Sequence, residues 1–429
     1  TYGFGLALGA APEGAPRRKI LTAGVAIVIS ALLVFKYYGF FFDSIGAILP
    51  GGPGGGVSLF PSFPRLDLVL FVGLSFYTFS CVSYLADVYW RRMPPERHLG
   101  HFALYVAYFP KLIAGPIERA RPFLERVREP VTFSAAGVVA GLQLILWGLF
   151  KKVVVADNLA AFVDAVYSQP AFAAPSDLVI ATYFFAFQLY CDFSGYSDMA
   201  IGTSLVLGIP LMENFRRPYL SRSVAEFWSR RWHISLATWF RDYMYIPLGG
   251  NRVSRPRHYA NLIAVFLVSG LWHGANWSFV VWGGLNGIYQ VVAMVTANAR
   301  RRVEGLVRLS PGAHHVVDIA ITFHLILFTW VFFRADTVAD AVTIISRVVA
   351  AAAVLPGLLA ARLTMPDVLF PVALIVVLFT AEVIDERGAL AERLAGRPVV
   401  VRWSVYYAIL FALVVFGAWS LQNFVYMQF

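Results

Sequence analysis

"LIAVFLVSGLWHGANWSFVVWGGLNGIYQVVAM", residues 262–294, carries scarcely a charge from end to end. A straight helix of that length would extend roughly 50 Å, against about 30 Å of hydrocarbon in a bilayer. The run must therefore break, tilt strongly or form two segments. The break is expected at "WHGAN", where Gly270, Gly274 and the polar Asn276 weaken the helix. His273 then lies beside an interruption at membrane depth, where backbone groups line a cavity. An ionisable side chain there is costly, and its default reading is a functional site facing the protein interior.

The rest of the chain supports a bilayer as its solvent. Of 429 residues, 59% are hydrophobic and only 14% charged, where a soluble protein of this size carries roughly 25%. Spanning parts must be helices or a closed barrel. The apolar runs are long and do not alternate, which favours helices. The expected fold is an all-α polytopic bundle of about ten or eleven membrane segments with re-entrant or interfacial pieces. Candidates run near 20–41, 67–90, 102–118, 133–155, 176–209, 259–274, 275–298, 316–334, 367–384 and 403–427, with a further one at 337–355. "LPGGPGGGVS" (49–58) reads as a turn between spans. Its glycines resemble a phosphate loop, but no GK[ST] follows. No internal repeat divides the chain, so 1–429 reads as a single membrane domain. It begins at Thr1 without methionine, and a further N-terminal part is expected before it.

Net charge is +10, which in a membrane protein signals basic cytoplasmic loops and not nucleic-acid binding. Cys81 and Cys191 lie in apolar segments with no CxxC or Cys/His spacing, so neither metal nor a redox pair is indicated. His314-His315 reads as a solvated loop pair without further ligands.

Residues 213–257 hold nine arginines and three acids. Ser223-Val-Ala-Glu226 is a capping box, so a helix is expected to start there. Trp228, Trp232, Leu236, Trp239 and Tyr243 follow at helical spacing and share one face, with Arg230 and Arg241 opposite. Such a helix belongs in the interface or is re-entrant. His233 lies at the flank of the apolar stripe. Arg216, Arg217, Arg222 and Arg230 either anchor lipid headgroups or receive an acidic donor molecule or acyl carrier; the arginine bias makes this side cytoplasmic.

Polar residues also interrupt "QLYCDFSGYSDMAIG" (188–202), where Asp192, Ser194, Ser197 and Asp198 interrupt an apolar run. They read as caps on a broken helix, or as a polar wall with Asp192 orienting a histidine. "YFPKLIAGPIER" (108–119) reads as a broken re-entrant segment with a buried or snorkelling Lys111. Lys151-Lys152 reads as an interfacial anchor.

These stretches together resemble the membrane-bound O-acyltransferase family, in its bacterial alginate O-acetylation-type branch. The matching pieces are "SFYTFSCVSYLADVY" (75–89), "FPKLIAGPIER" (109–119), "QLYCDFSGYSDMAIG" (188–202) and "MENFRRPYLSRSVAEFW" (212–228). They continue with "RRWHISLATWFRDYMYIPLGGNR" (230–252), "GLWHGANW" (270–277) and "TWVFFRA" (329–335), all in family order. The resemblance implies two site histidines, His273 in the WHG context and His233. It also implies a ring of helices around a thin centre, with His273 in a tunnel joining the two membrane sides. It further implies that the part expected before Thr1 consists of additional spans. Ser229 reads as an extra residue between Trp228 and the Arg-Arg-Trp-His run.

Acyl transfer from a thioester to a hydroxyl needs a base and donors for the tetrahedral oxyanion. His273 suits the first task. His233, Asn276 or backbone N–H groups at the helix break suit the second, although Asn276 equally suits a helix cap and His233 a packing role. The resemblance implies a membrane O-acetyltransferase component in the bacterial inner membrane, with no bound cofactor and acetyl-CoA as donor. The acetyl group would go to an extracytoplasmic polysaccharide, alginate-like or another exopolysaccharide, with a periplasmic acetyltransferase or esterase-like partner. The alternatives are a D-alanyl transferase of teichoic acid modification and a transporter, since broken helices and midplane charges also mark transporters.

Overall fold

The computed structural model describes residues 1–48, 73–306, 309–388, 390–419 and 424–425. The glycine-rich stretch 49–58, the first residues of the expected span 67–90 and most of the last residues of 403–427 lie outside the described residues. All regular elements among the described residues are helices. Seven are long and apolar enough to cross a membrane: Ala15–Gly46, Ala135–Tyr167, Pro175–Val206, Trp277–Val295, Pro311–Arg334, Pro366–Glu386 and Val399–Phe416. Val338–Ala350 and Leu355–Arg362 add one more if their 103° bend belongs to a single broken span.

The remaining expected segments are helical but do not read as simple spans. The segment expected at 102–118 stops at Ala107, and a tight turn, Phe109–Lys111, follows. Lys111 is buried there, its Nζ 4.4 Å from the Tyr105 ring centre and 5.3 Å from that of Phe123, so aromatic faces take the place of water around the ammonium. Arg255–His273 opens with Arg255, Arg257 and His258, which place its first turn in a polar setting. His314 and His315 sit in the first turns of Pro311–Arg334 and not in a loop, because Ser310 caps that helix on the Ala313 N–H. The described residues pack into two compact units, Thr1–Val131 with Gly274–Asn276, and Thr132–His273 with Trp277–Phe429.

The opening stretch breaks where its glycines predict. One helix ends at His273 and the next begins at Trp277. The two then fold back against each other with their backbones in contact. A Cβ on Gly270 would overlap the Phe279 carbonyl oxygen, and one on Gly283 would overlap the Phe266 carbonyl oxygen. Only glycine permits that approach. It fixes the last turn of the first helix, and with it His273.

A second close-packed pair holds the acidic stretch. Pro175–Val206 is one unbroken helix, buried along most of its length. It lies against Ala135–Leu149 through facing glycines: a Cβ on Gly195 would sit 2.7 Å from the Gly148 oxygen, and one on Gly202 2.5 Å from the Gly141 oxygen. Beyond Leu149 the partner helix widens into a π-helical stretch, Phe150–Ala156. The wide turn directs two consecutive lysines toward the acids. Lys151 reaches Asp198 at 2.5 Å and Ser194 Oγ at 3.0 Å. Lys152 reaches Asp192 at 2.6 Å and Asp157 at 2.8 Å.

Two sequence expectations change as a result. The acids do not cap a broken helix, and Lys151-Lys152 is not an interfacial anchor. The lysines are spent inside the protein neutralising carboxylates, which is the arrangement low dielectric demands of buried charge.

Candidate active site

The arginine-rich stretch is built from short pieces and not from one helix. Ser223 does cap a helix start, its Oγ accepting the Glu226 N–H at 3.1 Å. The α-helical part is only Val224–Glu226, followed by a wide π turn, Phe227–Arg231. A π turn holds one more residue than an α turn, and this one contains Ser229, the residue that reads as extra in the sequence. Trp232 is extended and His233 is left-handed, at φ 44°. A second helix, Ile234–Phe240, runs into another π turn, Arg241–Tyr245. Each interruption rotates the face that follows, so the single stripe expected from 3.6-residue periodicity does not form.

The left-handed backbone at His233 is costly for a residue with a Cβ and persists only where the surroundings impose it. Here Asn214, fully buried, does so. Its carbonyl accepts the Ile234 N–H at 2.9 Å, and its side-chain oxygen accepts the Ser235 Oγ–H at 2.8 Å and the Ser235 N–H at 3.3 Å. Its Nδ2 donates to Ser197 Oγ at 3.0 Å. The Arg216 N–H bonds the Arg231 carbonyl at 2.9 Å on the other side of the turn.

Both histidines line one cavity of about 290 Å³. Trp228, Trp232, Leu236, Leu262 and Phe266 give it largely apolar walls; Ser269, Gln290, Tyr245 and Arg241 add polar groups. His233 is 2% exposed and His273 5%. Aromatic rings set both imidazole planes. Phe193 meets His233 edge-on at 4.6 Å between ring centres, and Trp282 and Phe333 meet His273 edge-on at 5.0 and 5.3 Å. His233 lies outside the spanning helices, and burial pushes its imidazole down to about 3 from the ordinary histidine value, because a charged ring there loses its water. It is therefore neutral at physiological pH.

Asp192 does not orient a histidine. Its carboxylate is held by Lys152 and by the Val425 N–H, at 2.8 Å, while its neighbour Phe193 is the residue that touches His233. Ser194 accepts from Lys151 on that same buried side. Neither lines the cavity. Asn276 falls in the interruption between the two helices, which packs with the first unit.

Three of the four donor-patch arginines are engaged by carboxylates. Arg216 bonds Glu213, Arg217 pairs with Asp385 and Glu386, and Arg222 lies 3.9 Å from Asp318. Arg230 is exposed and has no ion pair among the described residues. Arg241, expected opposite the aromatic face, instead lines the cavity; its Nε bonds Asp242 at 2.7 Å. Asn214, Arg241, Tyr245 and Gln290 are the site residues that spacing does not reveal. Asn286 is another: fully buried, it accepts the Trp228 indole N–H at 2.9 Å and so fixes a cavity wall.

The model of the membrane-bound O-acyltransferase family matches residues 94–334, more than half of the chain. The "Probable alginate O-acetylase AlgI" of Azotobacter vinelandii is 40% identical over 339 residues, covering 78% of this chain and 64% of that protein. The chain thus spans just under two thirds of that relative's length. A peptidoglycan O-acetyltransferase of Helicobacter pylori is 34% identical, over 81% of this chain and 68% of its own. A teichoic acid D-alanyltransferase of Bacillus subtilis is 26% identical, over 64% of this chain and 71% of its own.

Proposed function

This chain belongs to the membrane-bound O-acyltransferase family, and from that premise we propose that it moves acetyl groups from a cytoplasmic thioester toward an extracytoplasmic polysaccharide in the bacterial inner membrane. The observation that carries the reading is the shared cavity: two buried histidines in one largely apolar pocket. His273 takes the proton from the acceptor hydroxyl as its oxygen attacks the thioester carbon. His233, a neutral donor in the same cavity, steadies the oxyanion. The C–S bond then breaks, and the leaving thiolate recovers the proton from His273. Acetyl-CoA is the donor that this reading favours, and a periplasmic acetyltransferase or esterase-like protein is the partner that passes acetyl to the polymer.

The cavity favours acetyl over D-alanyl. A D-alanyl group carries an ammonium, which needs a carboxylate when it leaves water. The described cavity wall contains Arg241 and no carboxylate.

The direct test is mass spectrometry of exported glycans from a strain lacking this chain. O-acetyl groups are expected to disappear and to return on complementation; an unchanged acetyl content would overturn the reading.

A second expectation concerns the donor. Arg230, exposed and without an ion pair among the described residues, and Arg241, at the cavity wall, are the arginines that suit a phosphate-bearing donor. Arg230→Gln/Arg241→Gln is expected to raise the donor KM by about tenfold while changing kcat little, since it removes uniform binding. The difference should shrink as salt rises. A fall in kcat alone, indifferent to salt, would assign these arginines to the architecture of the cavity and route the donor elsewhere.

A further inference from the structure

A second cleft, of about 520 Å³, lies wholly within the unit Thr1–Val131. Its walls carry five arginines, Arg17, Arg91, Arg92, Arg121 and Arg128, and one acid, Glu125. Four of the guanidiniums have a carboxylate partner: Arg91 with Glu13 at 2.8 Å, Arg92 with Asp87 at 3.3 Å, Arg121 with Glu125 at 2.9 Å and Arg128 with Glu96 at 2.5 Å. The fifth does not. Arg17 is 6% exposed, and its Nη2 donates to the Val88 and Tyr89 carbonyl oxygens at 2.9 and 2.8 Å. Its guanidinium also lies 5.8 Å from the Tyr89 ring centre, so carbonyls and one ring face surround it and no opposing full charge meets it among the described residues.

That charge faces a cleft too large for a lone carboxylate and ringed by four further forks. Each of those is already oriented by its own partner and keeps N–H donors to spare. We propose that this cleft binds a phosphate group. Arg17 supplies the compensating charge, and the surrounding guanidiniums supply paired hydrogen bonds to the phosphate oxygens, the geometry in which arginine excels. The same chemistry is offered by a phospholipid headgroup and by a phosphate in solution. The site is independent of the histidine cavity and of the acetyl-transfer reading.

The test uses the full chain in nanodiscs of phosphatidylcholine doped with phosphatidylglycerol. Native mass spectrometry counts the phosphatidylglycerol retained, and inorganic pyrophosphate is the soluble competitor. Arg91→Gln/Arg121→Gln removes two exposed forks without emptying a buried position, and retention should weaken about tenfold. Arg17→Lys, which keeps the charge but loses the fork, should fall between that variant and the unaltered chain. Arg126→Gln removes one positive charge from the helix that carries Arg121, Ala120–Arg128, but outside the cleft, and should retain lipid normally. Displacement by pyrophosphate would identify a site open to soluble phosphate; resistance to it would identify a lipid site. Equal retention by the double variant and the unaltered chain would overturn the proposal, as would equal loss in Arg126→Gln. So would the absence of both lipid retention and pyrophosphate binding in the unaltered chain.

Discussion

His273→Ala is expected to abolish acetyl transfer, lowering the rate by about 10²–10⁴-fold, while the protein remains inserted and monodisperse. The size of the effect follows from the cavity. Its walls are mostly apolar, so water cannot substitute well for a base held at the end of a helix. The Trp282 and Phe333 rings stand edge-on to the imidazole at 5.0 and 5.3 Å, and they fix its plane before any substrate arrives. Such preorganisation is lost with the ring. The measurement is acetyl content of exported glycans, beside size-exclusion behaviour and helicity of the purified variant. Near-normal acetylation would remove His273 from the mechanism. His233→Ala is expected to cost less, because other hydrogen-bond donors line the same cavity and partly replace an oxyanion donor. Equal, total loss in both would describe one inseparable pair.

The two histidines also show how far the sequence was legible. Around His273 the signals are local. The apolar run exceeds the bilayer, its glycines cluster at one point, and the helix breaks between His273 and Trp277. Around His233 they are not. Its left-handed backbone depends on Asn214, nineteen positions earlier in the chain, and on the Arg216 to Arg231 hydrogen bond. A helical wheel assumes a constant pitch, and two π turns and one left-handed residue remove it. Arg241 therefore reaches a wall from which periodicity excludes it. The acids of 188–202 depart from the capping reading for a related reason. Aspartate in an apolar run suggests a break only while its partner is unknown. The partners, Lys151 and Lys152, lie on another helix, and a widened turn aims them.

That buried network carries the second large expectation. Lys152 is the cation shared by Asp157 and Asp192, at 2.8 and 2.6 Å. Lys152→Met keeps much of the side-chain volume but leaves two carboxylates in low dielectric without their ammonium. Breaking a buried pair in this way typically costs roughly 3–5 kcal/mol. Neighbouring Lys151 cannot relieve it, because it is already committed to Asp198 and Ser194. A marked fall in the detergent melting temperature is therefore expected. Lys152→Arg should lose less, since the charge persists in a larger head. Adding Asp157→Asn and Asp192→Asn to Lys152→Met should restore much of the stability, because the cost lies in the orphaned charges and not in the missing methylenes. If Lys152→Met melts with the unaltered chain, the network is not what holds these helices together. The glycine contacts at Gly148 and Gly195 would then carry that task alone. If the triple variant is stable yet inactive, the charges serve the reaction through Phe193, whose neighbour Asp192 is tethered by Lys152 and whose ring stands 4.6 Å from His233.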